Sequence, residues 1–137
     1  MDGYEVRLSW LLDRFEEETP GVRSVQTVSA DGIHLISSKG MDRTSADTFA
    51  AITSGLTSLC ESAAEVFDLS PFVRQIIETG TGWILLSRIS ARANLAVIAE
   101  TGADLGLIGY EMMVLIGQAA ELLSPDVIES IKNPLDA

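Results

Sequence analysis

The sequence predicts an α+β domain. It has one five-stranded antiparallel sheet of spatial order 2-1-5-4-3 and three helices, in chain order αββαβββα. Three observations carry this reading. Apolar residues recur at helical spacing in three segments, and β-branched runs lie between them. The turns within each group of strands are too short for a parallel crossover. With two strands before the long helix and three after it, a single sheet forms most simply when the first strand pairs with the fifth.

Glu5 to Glu18 places Leu8, Leu11, Leu12 and Phe15 on one helical face, with Trp10 widening the stripe. Pro20-Gly21 stops that helix. Val22 to Ser29 then reads as the first strand, Ala30-Asp31-Gly32 as a tight turn, and Ile33 to Ser38 as the second strand. After the polar Lys39 to Arg43, Thr44 or Ser45 is expected to cap a long second helix reaching about Phe67. Phe49, Ile52, Leu56, Leu59, Ala63 and Val66 alternate steps of three and four, which predicts a core-facing stripe. Asp47, Ala51, Ser54, Ser58, Glu61 and Glu65 lie opposite, and Ala50, Gly55, Thr57, Ser62 and Ala64 fill the flanks. Asp68 to Pro71 ends the helix.

Phe72 to Thr79, Trp83 to Ile89 and Asn94 to Glu100 form a meander. Asp104 is the expected N-cap of the last helix, whose buried face reads Leu105, Ile108, Met112, Leu115, Ile116, Ala119, Leu122 and Leu123, with Met113 also at core spacing. Ser124-Pro125 closes it, before a short turn over Asp126 to Lys132. The strand order makes the second and third strands the edges. Phe72-Val73-Arg74-Gln75-Ile76-Ile77 is the more apolar edge, and its cheapest partner is its own copy across a two-fold axis.

The 137 residues fit a single domain over 1–137, with its core at about 5–123 and a short tail at 124–137. Nine Lys and Arg against twenty Asp and Glu give a net charge of −11, which repels nucleic acid and anionic lipid. One cysteine, Cys60, and one histidine, His34, leave a disulfide framework or a Cys/His zinc site short of ligands. The N-terminus lacks the basic and apolar regions of a secretion signal, and Glu111, Gln118 and Glu121 interrupt the most apolar stretch. The expectation is a cytoplasmic protein with no direct membrane insertion, no metal and no cofactor.

Catalytic constellations are missing from the sequence. Gly80-Thr81-Gly82 lies in a hairpin rather than before a helix, so it reads as a turn and not a phosphate cradle. Gly102, Gly106 and Gly109 follow an antiparallel strand, which favours close helix packing over dinucleotide binding. His34 has no acid or nucleophile near it in sequence, and Cys60 reads as a small core residue. Glu16-Glu17-Glu18 reads as a solvated helix end. No catalytic residue is assigned, and the chain is expected not to be an enzyme.

The ordered set Pro20-Gly21-Val22, Ser29-Ala30-Asp31-Gly32, Ser38-Lys39-Gly40, Ala50 to Leu56, Leu95 to Ala99 and Asp104-Leu105-Gly106 resembles the roadblock / dynein light chain family. More narrowly, it resembles the bacterial, actinomycete-type regulators of small GTPases. The resemblance implies a roadblock-type homodimer in which third strands pair edge to edge and the two second helices lie side by side. It also implies binding of a Ras-like small GTPase, as a non-catalytic regulator or adaptor that stimulates GTP hydrolysis in some relatives. Carried onto this chain, the GTPase-facing residues are Asp47, Ala51, Ser54, Ser58, Glu61 and Glu65. The candidates for the dimer interface are Ala50, Gly55, Thr57 and Ser62 on the helix, with Phe72, Val73, Arg74, Gln75, Ile76 and Ile77 on the strand. The second helix carries no arginine after Arg43, so a charge-stabilising arginine finger is not evident on it. The alternative is an oligomerisation scaffold for a sensor kinase or other signalling partner, without effect on GTP hydrolysis.

Overall fold

A computed structural model describes residues 3–133. Its elements are α1 (Gly3–Glu18), β1 (Val22–Ser29), β2 (His34–Ser37), α2 (Arg43–Val66), β3 (Arg74–Glu78), β4 (Gly82–Ser90), β5 (Ala93–Glu100), α3 (Leu105–Leu122) and α4 (Pro125–Lys132). All five strands join one antiparallel sheet of order β2-β1-β5-β4-β3, as the sequence predicts. The fourth helix replaces the short turn that the sequence predicts over Asp126 to Lys132. Ser124 caps it by accepting from the Val127 amide, Pro125 occupies its first turn, and Ile128 is buried in the core.

Strand register sorts the side chains into two faces. Val25, Val97, Leu85 and Ile76 stand opposite one another on one face, and Gln26, Ala96, Leu86 and Gln75 on the other. The first face is covered by α1 and α3, through Leu8, Leu12, Phe15, Ile108, Met112 and Leu115. Asp13 and Glu16 also fasten α1 to the connector after β2. Asp13 accepts from the Lys39 amide at 2.9 Å, and Glu16 accepts from Ser38 Oγ at 2.6 Å and the Gly40 amide at 2.9 Å. A Cβ at Gly40 would run into the Glu16 carboxylate and the Arg23 carbonyl, which explains the glycine in Ser38-Lys39-Gly40. The acidic run at the end of α1 is therefore partly an internal anchor rather than only a solvated end.

The other face carries α2, packed over β1, β2 and β5. Its N-cap is Asp42, whose carboxylate accepts from the Ser45 amide at 2.9 Å, so the cap falls before the expected Thr44 or Ser45. At its far end Asp68 adopts φ 56°, with its amide bonded to Glu65 O and the Leu69 amide bonded to Ala64 O, a Schellman closure. The residues that α2 buries are Ala46, Ala50, Thr53 and Thr57. The expected core stripe instead faces outward, with Ile52, Leu59, Ala63 and Val66 exposed and Phe49 and Leu56 half-buried. Periodicity identifies an apolar face but not what covers it, and the smaller face lets the helix backbone approach the sheet.

Other packing expectations are also corrected. Trp10 and Met113 are exposed, and Cys60 is half-buried. Gly102 has open space around it, while Gly106 and Gly109 come near only the ends of the Asp104 and Arg74 side chains, so the three glycines mediate no close helix packing.

Candidate interaction face

The outward side of α2, the segment after it and the free edge of β3 carry seven exposed large apolar residues. Relative exposure is 49% at Ile52, 70% at Leu59 and 73% at Val66, and it continues through Phe67 (72%) and Leu69 (71%) to Val73 (62%) and Ile76 (49%). Register places half-buried Ile77, Ile84 and Ile98 on the sheet face that α2 crosses. Exposed apolar residues gathered on one helix side and one sheet edge make this face a candidate interaction site.

The residues assigned from sequence to the helix seam separate. Ala50 and Thr57 are 0% and 2% exposed against the chain's own sheet, and Thr57 Oγ1 donates to Thr53 O at 2.9 Å, so neither is available to a partner. Gly55 and Ser62 are exposed, and a Cβ at Gly55 would meet nothing within 4 Å. On the edge strand and its approach, Val73 and Ile76 are exposed, whereas Phe72, Arg74, Gln75 and Ile77 are half-buried.

The proposed GTPase-facing set also divides. Ala51, Ser58 and Glu65 point to solvent, and Asp47 pairs with Arg43 at 3.0 Å. Ser54 Oγ donates to the Ala30 carbonyl at 2.9 Å, and a Cβ at Gly32 (φ +87°) would crowd Ser54 and Ala51, so the Asp31-Gly32 turn is shaped to fit under α2. Glu61 is occupied within the chain, accepting from Arg88 Nη2 and from the Phe72 amide, both at 3.2 Å. Sequence reasoning places Ile52, Leu59 and Val66 in the core, whereas the structure exposes them. Their spacing was legible but their direction was not.

A polar contact fixes the near end of α2. Gln26 Nε2 donates to the Ala46 carbonyl at 2.7 Å and lies 2.8 Å from His34 Nδ1. An amide nitrogen only donates, so Nδ1 accepts and the neutral ring carries its proton on Nε2. Burial, followed by the nearby Arg43 charge, pushes the His34 pKa below its ordinary value, against a smaller opposing effect of Asp47. No cluster of three His, Cys, Asp or Glu side chains suited to a metal occurs among the described residues.

The site thus combines a sheet with a free apolar edge and a helix whose apolar side is unmatched within the chain. The sequence matches the Roadblock/LC7 domain family over residues 8–99, and the chain belongs to that family. It is similar to the Roadblock/LC7 domain from Streptomyces avermitilis, at 32% identity over 80% of this chain and 92% of that one, with a TM-score of 0.77. The fold also matches Myxococcus xanthus MglB at 17% identity, covering 85% of this chain and 94% of that one, TM-score 0.78. The gliding protein mglB from Thermus thermophilus matches at 15% identity, covering 89% and 92%, TM-score 0.80. No curated protein matches the sequence.

Proposed function

We propose that two copies of this chain associate through α2 and β3, and that the paired α2 helices dock a Ras-like small GTPase as a non-catalytic regulator or adaptor. The observation that carries the reading is the outward apolar stripe of Ile52, Leu59 and Val66 beside an exposed edge strand. Burying that stripe against its own copy leaves a ridge of small and acidic residues, including Ala51, Ser58 and Glu65, for the GTPase. Membership of the Roadblock/LC7 family supports the same reading, as does the similar fold of MglB, which occurs in a tetrameric arrangement.

The test is co-purification with a Ras-like GTPase from the same genome, loaded with GDP or a GTP analogue. Retention in at least one nucleotide state is expected, and absence of binding in both states by protein shown to be dimeric contradicts the reading. The scaffold reading for a sensor kinase or other signalling partner is favoured by one feature: the sole arginine on α2, Arg43, is paired with Asp47. Single-turnover GTP hydrolysis with and without the protein separates the two, since a scaffold leaves the rate unchanged.

A further inference from the structure

The free edge of β3 is self-complementary in one register. The Val73 carbonyl accepts from the Arg88 amide, and the Thr79 amide donates to the Gly82 carbonyl, so the odd-numbered residues of this stretch turn their backbone groups toward β4. Backbone direction alternates along a strand, which leaves the N–H and C=O groups of Arg74, Ile76 and Glu78 pointing away from the sheet. The side chains of these three residues share the α3 side of the sheet, because they oppose Ser87, Leu85 and Trp83 of β4.

A two-fold axis that pairs this edge antiparallel with its own copy must stand perpendicular to the sheet, and it places both α2 helices on one face. Parallel pairing would put them on opposite faces, with their apolar stripes apart. Antiparallel pairing also requires outward-pointing residues to face outward-pointing residues. A two-fold at Gln75 sets Arg74 against Ile76 and Glu78 against Phe72. One at Ile77 sets Glu78 against Ile76 and Arg74 against Gly80. Only a two-fold at Ile76 overlaps the whole of β3, and it sets each arginine against a glutamate.

Resting on the dimer reading above, we infer that β3 pairs with its own copy with Ile76 on the two-fold axis and Arg74 directly opposite the partner's Glu78. The arrangement buries the exposed Ile76 against itself and flanks it with two ion pairs. Arg74 is ready for such an acceptor: its guanidinium lies near Gly109 of α3, and its Nε is buried with no hydrogen-bond partner among the described residues. Glu78 is exposed at the other end of the strand. Cross-strand pairs of opposite charge stabilise a sheet and like charges oppose it, so the edge encodes its own register.

The experiment is a charge swap combined with cross-linking, in the full chain carrying Cys60→Ser. Arg74→Glu alone and Glu78→Arg alone should each weaken dimerisation about tenfold, because two like-charged pairs replace two attractive ones. The double swap should restore the dimer. Ile76→Cys should form an intermolecular disulfide under mild oxidation, because residues opposite one another in a hydrogen-bonded pair have Cα atoms about 5.5 Å apart. Gln75→Cys and Ile77→Cys, each opposite the other type across this axis, should not. A dimer in which the double swap fails to rescue, or in which Gln75→Cys or Ile77→Cys cross-links in place of Ile76→Cys, overturns the register and leaves the dimer reading standing. A parent protein that is monomeric overturns both.

Discussion

The carboxylate of Glu61 and the guanidinium of Arg88 meet at 3.2 Å, and the same carboxylate oxygen accepts from the Phe72 amide at 3.2 Å. One oxygen thereby joins α2, β4 and the approach to β3, with Arg88 lying 5.9 Å from the centroid of the Phe72 ring. Both ion-pair partners are only partly buried, so the contact contributes to alignment more than to stability. Its role is to hold the apolar side of α2 and the free edge of β3 in one orientation.

Glu61→Gln keeps an acceptor for the Phe72 amide and loses the charge, whereas Glu61→Ala loses both. Glu61→Ala should cost about 1 kcal/mol and Glu61→Gln about half that, read from urea unfolding. A double-mutant cycle with Arg88→Ala should give a coupling energy below about 1 kcal/mol.

The two sides of α2 should respond oppositely to substitution. Leu59→Glu alters an exposed position, so the fold should persist by circular dichroism while the sedimenting mass falls to that of a single chain. Ala50→Leu forces extra volume into a fully buried site against the sheet and should cost about 1–3 kcal/mol of stability. Unfolding by Leu59→Glu together with tolerance of Ala50→Leu would reverse the assigned orientation of α2.

Proline reads the direction of the β3 backbone. Ile76→Pro removes an amide that points to the free edge, which a folded chain tolerates, so it should yield a folded monomer. Ile77→Pro removes an amide directed at β4 and should destabilise the domain by about 3 kcal/mol or more. Equal effects at the two positions, measured by light scattering and thermal unfolding, would contradict the alternation.

His34 gives the stability a specific dependence on pH. Its pKa is lowered in the folded chain, so the unfolded chain binds more protons below about pH 6.5, its ordinary value. Stability is complete above that value and declines as pH falls toward the folded pKa. Protonating Nδ1 also sets two donors face to face with Gln26 Nε2. Urea midpoints should therefore drop between pH 7 and pH 5, and His34→Asn, which keeps an acceptor there, should flatten that slope. Asp31 and Asp42 act in a separate window. Hydrogen bonds, from Ser29 to Asp31 and from Ser45 to Asp42, hold their pKa values below the carboxylate norm, so their contributions disappear only in more acidic solution.

The strand order was legible because each strand carries its own pattern and the turns leave little freedom: Ala30-Asp31-Gly32 closes one hairpin and Gly80-Thr81-Gly82 another. The direction of α2 was not. Ile52, Leu59 and Val66 have the spacing of a core stripe, and a helix periodicity is the same whether the core is the chain's own sheet or a second copy. Ala46, Ala50, Thr53 and Thr57 form the competing face, and their low hydrophobicity conceals that they pack closest to the sheet. The engagement of Glu61 is not legible in the sequence, because its two donors, Arg88 and the Phe72 amide, are distant along the chain. The sequence suggests only a turn at α4, because its apolar residues, Val127, Ile128 and Ile131, are too few to establish a period.

Self-association through α2 and β3 is the claim on which the interaction face depends, and multi-angle light scattering at micromolar concentration tests it most directly. A particle of about twice the 14.7 kDa chain mass is expected. A particle of 14.7 kDa under those conditions would contradict it.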